Sequence, residues 1–334
     1  MRNSWGISRM KRRDFIMLLG SVAAWPLAAR AQQRPVIGFV SGRSPEDSNQ
    51  YGAAFRKGLG EAGLVDGQSA TIEYHWLDGQ YDQLPALMAD LVRRRVAVIV
   101  TPGSNPASLA TKAATKTIPI VFGVGQDPAK LGLVESLARP GGNATGINFF
   151  ASEVTPKELG LLHEVVPKAV RLAVLVNPSN ASNAESTLRD IREAAPTLGL
   201  EVQAIEAGTV GEIEAAFGTL VREQSDALLV GPDAFLASRR VQIAILAARH
   251  AIPTAGNNRE AVEAGALMSY GTDGVDMYRQ VGVYAGRILK GAKPADLPVQ
   301  QSTKFEFVIN VSTAKALGLE VPPALLLRAD ALIE

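Results

Sequence analysis

Serine, threonine, asparagine, aspartate and glycine gather in seven short stretches of this chain, at 41–48, 101–105, 123–128, 177–180, 231–235, 256–258 and 270–273. Such residues offer small hydrogen-bonding groups and let a backbone come close to a bound molecule, and helix starts beside them present free N–H groups that favour a carboxylate or other anion. The candidates for touching a ligand are Ser41, Ser44, Ser104, Asn105, Gly125, Asp127, Asn177, Ser179, Asn180, Asp233, Phe235, Asn257, Tyr270 and Asp273. Asp127, Asp233 and Asp273 are the carboxylates placed to meet an ammonium group. Asp127, followed by Pro128, also reads as the cap of a helix, so Asp233 is preferred. Phe235 and Tyr270 offer rings to an apolar part of the ligand or to ordinary core packing. The same residue types cap helices and shape turns, and each candidate keeps that structural reading beside the functional one.

Catalytic chemistry finds little support. His75, His163 and His250 stand away from these stretches or inside helical patterns, and neither a G-x-S-x-G nor an H-E-x-x-H motif occurs. The segment His163-Glu164-Val165-Val166-Pro167 ends in proline where a zinc pair needs a second histidine. Gly58-Leu59-Gly60-Glu61-Ala62-Gly63 satisfies G-x-G-x-x-G, but it follows a helix, whereas a dinucleotide site needs a strand before it. It reads as a helix end plus a turn. Arg93-Arg94-Arg95 has no interleaved aromatic residues and reads as a solvated helix terminus. The sequence points to no catalytic residue, no metal and no cofactor.

The elements that must position the polar stretches alternate in type. Short β-branched runs at 36–40, 71–74, 96–100 and 118–122 are separated by helical patterns at 49–59, 81–94 and 105–115, the signature of a parallel sheet covered by helices. Asp127-Pro128 predicts a further helix start. The second half repeats this grammar. Ala97–Pro102 resembles Ala227–Pro232 at an offset of 130 residues (227 − 97), and Ile118-Pro119-Ile120 resembles Ile252-Pro253-Thr254 at 134 (252 − 118). Two nearly equal offsets predict two lobes of one design, the second opening with a strand at 172–176. A helix over 275–289, a strand over 304–309 and a short helix capped by Ser312 complete the reading. In open parallel sheets ligands sit beyond the carboxyl ends of the strands, where the polar stretches fall.

With 334 residues, 47% hydrophobic, and a net charge of +1, the chain is long enough for two domains and has neither the polarity of a disordered chain nor the basicity of a nucleic-acid binder. Lys11, Arg12 and Arg13 precede an apolar run over 15–29 and Ala29-Arg30-Ala31, which together read as a signal peptide over residues 1–31. The apolar run, about 15 residues with Pro26 inside it, is shorter than the ~20 a spanning helix needs. Arg12-Arg13 resembles a twin-arginine export signal, a general secretory leader is the alternative, and Met10 is a second candidate start. There is no cysteine, which fits an oxidising compartment outside the cytoplasm and excludes a lipidated N-terminal cysteine.

The stretches GLGEAGLVDGQSATIEYHW, GQYDQLPALMADLVRRRVAVIV, LARPGGNATGINFF, LMSYG, GRILKGAKPADLPVQQSTKFEFVIN and TAKALGLEVPP resemble the ABC transporter substrate-binding protein family related to the tryptophan- and tyrosine-binding TrpX proteins. The resemblance covers the whole mature chain. It implies an α/β fold of the periplasmic-binding-protein type I, two Rossmann-like lobes with parallel sheets joined by crossover strands, at 35–148 plus 272–300 and 149–271 plus 301–334. It further implies a periplasmic monomer that closes on a small amino-acid-like ligand and delivers it to a permease with a separate ATPase subunit, with no nucleic-acid partner and no integral membrane segment. Similar sequences often carry aromatic residues near Asn257 and Phe235, which leaves an aliphatic or polar ligand open beside an aromatic one. A periplasmic sensory module for a receptor or kinase is the alternative role, and an enzyme on a similar fold a third.

Overall fold

The computed structural model describes residues 34–334, the side chains of 151–153 apart; the leader expected over 1–31 lies outside the described residues. The chain begins with β1 (Val36–Ser41), α1 (Asn49–Glu61), β2 (Thr71–Trp76), α2 (Leu84–Arg93), β3 (Val98–Pro102), α3 (Asn105–Ala114), β4 (Ile120–Val124) and β5 (Ala144–Asn148). It continues through α4 (Ala151–Val165), β6 (Arg171–Val176), α5 (Ala181–Ala194), β7 (Glu201–Glu206), α6 (Val210–Arg222), β8 (Ala227–Val230), α7 (Ala234–Ser238), α8 (Arg240–His250), β9 (Thr254–Gly256), α9 (Arg259–Glu263) and β10 (Met268–Thr272). The last part holds α10 (Gly274–Leu289), β11 (Gln300–Gln301), β12 (Phe305–Asn310), α11 (Val311–Ala316), α12 (Pro323–Arg328) and β13 (Ala331–Ile333).

These strands form two sheets, in the orders β11-β5-β4-β3-β1-β2 and β13-β12-β10-β9-β8-β6-β7. The first five strands of each half therefore occupy equivalent places, and the resembling segments at 97–102 and 227–232 supply β3 and β8, each paired in parallel with its own half's first and fourth strands. Pairing is parallel throughout except between β10 and β12. Central strands β3 and β8 are buried on both faces, which their unbroken Val/Ile/Leu runs require.

The chain passes between the sheets three times: from β5 into α4, from β10 into α10, and from β11 into β12. The crossings are tied together by hydrogen bonds from Ser302 N to Asn148 O at 2.9 Å and from Thr272 Oγ1 to Phe149 O at 3.3 Å. α10 returns to the first sheet and packs along α1, burying Phe39, Phe55, Leu59, Tyr278, Val281 and Ile288 in one cluster. This approach needs glycine. A Cβ on Gly58 would stand 1.8 Å from Arg279 O, and one on Gly282 2.2 Å from Phe55 O. The G-x-G-x-x-G stretch is thus the end of α1 and a turn, with Gly63 at φ +77°, and its first glycine also serves helix packing.

Two expected helix starts are corrected. Residues after Asp127-Pro128 form turns and no helix: Asp127 Oδ1 accepts from Ala129 N at 2.8 Å, but Gly132 at φ +72° turns the chain away before a second helical turn can form. The short helix at 311–316 is capped by Asn310, whose side chain accepts from Thr313 N at 2.7 Å, and not by Ser312, which lies inside it.

Gly282→Ala is expected to lower stability by about 1–3 kcal/mol through overpacking against α1, read from the denaturant midpoint; an unchanged midpoint would show that the two helices can separate at no cost.

Candidate functional site

The carboxyl ends of strands from both sheets meet around one cavity of about 100 Å³. From the first sheet come Arg43 after β1, Gly103 and Asn105 after β3, Gly125 after β4 and Phe149 after β5; from the second come Asn180, Pro232, Asp233, Asn257, Tyr270 and Thr272. Helices add Tyr51 from α1, Val154 and Glu158 from α4, Asn183 from α5, and Met277 and Tyr278 from α10.

One wall is aromatic. The Tyr51 and Tyr278 rings stand 4.7 Å apart. Tyr278 donates to Pro102 O at 3.1 Å, with Ser41 Oγ 3.2 Å from the same hydroxyl. Tyr270 is fixed from behind by Lys157, whose Nζ donates to its hydroxyl at 2.7 Å, and by Phe305 stacked at 6.1 Å. The wall supplied by the ends of β6 and β8 is polar. Asp233, 8% exposed, is the hub of that wall. Its Oδ1 caps α7 by accepting from Phe235 N at 2.9 Å and Leu236 N at 3.1 Å, and takes a third bond from Asn177 Nδ2 at 3.1 Å. Its Oδ2 accepts from Asn180 Nδ2 at 2.9 Å and from the Tyr81 hydroxyl at 3.4 Å. An ionised carboxylate has about four good acceptor positions, so five neutral donors leave Asp233 little to offer an ammonium directly. Its negative charge still borders the cavity.

Among the other residues expected at a site, Asn105, Gly125, Asn180, Asn257 and Tyr270 line the cavity with Asp233. The rest stand behind it or away from it. Ser41 supports Tyr278, and Ser44 is buried with its hydroxyl unpartnered. Ser104 caps α3, Asn177 holds Asp233, and Ser179 N donates to Asn177 Oδ1. Asp127 lies on a separate groove beside α5, and Asp273 caps α10 through Asp276 N at 3.0 Å. Phe235 is buried among Phe217, Leu236 and Ile243. Across the gap between sheets it abuts Gly79, where a Cβ would stand 2.8 Å from its ring.

Arg43, Glu158, Tyr51 and Tyr278 were not among the residues expected to touch a ligand. Arg43 sits between two of the expected serines; its guanidinium lies 4.2 Å over the Tyr51 ring, and the arginine is 5% exposed. Glu158 is 1% exposed. It falls with Thr155, Leu159 and Leu162 on the buried stripe of α4, and a carboxylate in such a stripe is the signal that helical periodicity could have given. Burial pushes the Glu158 carboxyl well above the ordinary carboxylate range, and the Tyr270 backbone N–H offsets only part of this. Arg43 Nε and Nη2, Glu158 Oε1 and Asn180 Oδ1 have no hydrogen-bond partner. Native interiors rarely leave such atoms unsatisfied, and four of them around one cavity mark where a bound molecule belongs.

Residues 11–333 match the family model for ABC transporter substrate binding protein. This chain belongs to that family. It is 29% identical over 266 residues, 80% of this chain and 76% of its relative, to the tyrosine-binding protein of Clostridioides difficile (strain R20291). Among solved structures, an ABC domain in complex with L-Trp from Streptococcus pneumonia is 26% identical, with a TM-score of 0.80 over 90% of this chain and 100% of that one. The ligand-free, open structure of a substrate-binding protein with adhesive properties from Clostridium difficile is 27% identical, with a TM-score of 0.61 over 90% of this chain and 99% of that one. The fold is that of the type I periplasmic binding proteins, and the protein is a substrate-binding component of an ABC transporter. Among the described residues, no helix is long and apolar enough to cross a membrane.

Asp233→Ala removes a helix cap and strands Asn177, Asn180 and Tyr81; it should cost about 2–4 kcal/mol in the ligand-free protein, measured by denaturant unfolding, and a loss near zero would mean that these donors find other partners. The raised Glu158 carboxyl binds its proton more tightly folded than unfolded. Its stabilising effect is therefore complete below the ordinary value of 4.5 and is lost as pH rises from there through the folded value. Melting followed from about pH 4 to about pH 8 should show this decline in the wild type and a flatter profile in Glu158→Gln; parallel profiles would contradict it.

Proposed function

We propose that this protein captures a small amino-acid-like ligand by hinge closure in the periplasm and delivers it, as a monomer, to an ABC permease driven by a separate ATPase. It binds the ligand without transforming it. The observation that carries this reading is a cavity lined by strand ends of both sheets and bearing buried polar atoms with no internal partner. The moving bodies are the lobes at 35–148 plus 272–300 and 149–271 plus 301–334, turning about the three crossings.

Bonds across the gap support a closed state. Gln126 Nε2 donates to Ser182 O at 2.9 Å and Ser186 Oγ at 2.6 Å, and the Tyr51 hydroxyl donates to Glu260 at 2.8 Å. Arg240 pairs with Asp47 at 3.2 Å, and Arg239 with Asp78. The higher TM-score to the complex with L-Trp than to the open relative agrees with closure. A ligand favours this state because only there do both walls touch it.

The relatives bind tyrosine or tryptophan, and the ring surfaces of Tyr51, Phe149, Tyr270 and Tyr278 around the cavity support an apolar or aromatic side chain on the ligand here. These rings come from helices, a crossing and β10, so the lack of aromatic residues at Asn257 does not leave the cavity without them. Of the candidates, Asn105, Gly125, Asn180, Asp233, Asn257 and Tyr270 are the ones we assign to ligand contact.

A thermal-shift screen of the mature protein against L-amino acids should give a rise for aromatic or branched ones and none for lysine or aspartate. At about a hundredfold excess over Kd the gain corresponds to about 2.7 kcal/mol. No rise with any amino acid would refute the ligand class.

A further inference from the structure

Arg43 differs from every other group around the cavity because it cannot become neutral. A guanidinium keeps its proton under all ordinary conditions, whereas a buried carboxyl such as Glu158 can take one up. Its contact with the Tyr51 face offsets only part of the cost of burying a charge. Glu260, the carboxylate that shares Tyr51 with it, is engaged by the Tyr51 hydroxyl and by Gln50 Nε2 at 3.1 Å. Two of the Arg43 donors, Nε and Nη2, remain without a partner while fully shielded from solvent. These two N–H groups lie on one edge of the guanidinium plane and match the two oxygens of a carboxylate.

The other unpartnered atoms of the lining narrow the choice of anion. Asn180 Oδ1 is an acceptor, and Glu158 Oε1 is an acceptor or, when protonated, a single donor. A phosphate, with several charged oxygens, would find one cationic fork and otherwise mostly oxygen atoms and rings. A single carboxylate on an apolar body fits both ends.

We propose that Arg43 anchors the carboxylate of the ligand and thereby restricts the cavity to molecules that carry one. Because Arg43 follows β1 of the first sheet while Asn180 and Glu158 belong to the second, the carboxylate is held from one side of the gap and the donor groups of the ligand from the other. Neutralising Arg43 also removes the cost of enclosing it, so the carboxylate contributes to closure as well as to recognition.

The proposal rests on reading the cavity as an amino-acid site, and the choice of probes separates the two. The mature protein is titrated calorimetrically with L-tryptophan and L-leucine, with the amines tryptamine and isoamylamine, which lack the carboxylate, and with the acids indole-3-propionate and isocaproate, which lack the ammonium. The amines should bind about a hundredfold or more weakly than the amino acids, and Arg43→Met should weaken amino-acid binding by a similar factor while leaving the amines nearly unchanged. The ligand-free variant should still melt cooperatively. If it does and binds L-tryptophan as tightly as the wild type, the anchor is wrong and the amino-acid reading stands. If the wild type binds tryptamine as well as L-tryptophan, the anchor is overturned without recourse to any variant. Binding of the acids but not the amino acids keeps Arg43 in its role and overturns the amino-acid reading; binding of none of the six overturns both.

Discussion

Polar groups at the carboxyl ends of two facing sheets have been taken out of water, and each must find a partner inside or wait for one. Asp233 resolves most of this problem on the second sheet. One carboxylate satisfies the start of α7, holds Asn177 and Asn180 in fixed orientations, and reaches Tyr81 from the first half of the chain. Tyr81 is in turn kept protonated by burial and by that negative neighbour. With Asn180 Nδ2 committed to Asp233, its Oδ1 is turned free of any internal partner. The scaffold bonds thus determine which atoms are left over, and the leftover atoms describe the ligand.

The same economy governs the gap between the sheets. The bonds that cross it are made by side chains, such as Arg240 with Asp47, 17% and 28% exposed, where contact with solvent screens part of the attraction. Packing across it is similarly local, Phe235 against Gly79 being one instance. A closed form held this lightly can reopen, whereas one held by a continuous apolar core could not. The apolar clusters accordingly lie on the sheets themselves, with Leu172, Val174 and Leu229 on the second and Ile37, Phe39 and Val98 on the first.

Much of the architecture was legible because buried parallel strands announce themselves as β-branched runs, and because the resemblance between 97–102 and 227–232 reflects equivalent strands. The helix expected after Asp127 was not there: a cap and a proline start a helix only if the next turn can follow, and Gly132 diverts it. That Asn105, Gly125, Asn180 and Asn257 line the cavity follows from their place in loops directly after strands, which the sequence shows by position alone. Arg43 went unnoticed beside Ser41 and Ser44, since nothing in a loop sequence reveals which side chain turns inward. Tyr51 and Tyr278 belong to helices whose apolar periodicity reads as core, and much of their surface is core. For Phe235 the sequence leaves ligand contact and core packing equally open; in the structure its ring packs beside Phe217 and Ile243.

The embrace of α1 by α10 sets a constraint on how the chain can acquire its shape. The glycine-lined face of α1 receives its partner 213 residues later (274 − 61), and the edge strand β11 of the same sheet arrives later still. The amino-terminal half therefore cannot finish folding as it emerges in order; the Phe55 and Leu59 face of α1 stays without α10 until most of the polypeptide has been made. Such long-range closure is slow. A chain that stays incomplete until its last fifth remains open to chaperones and threading machinery for most of its synthesis.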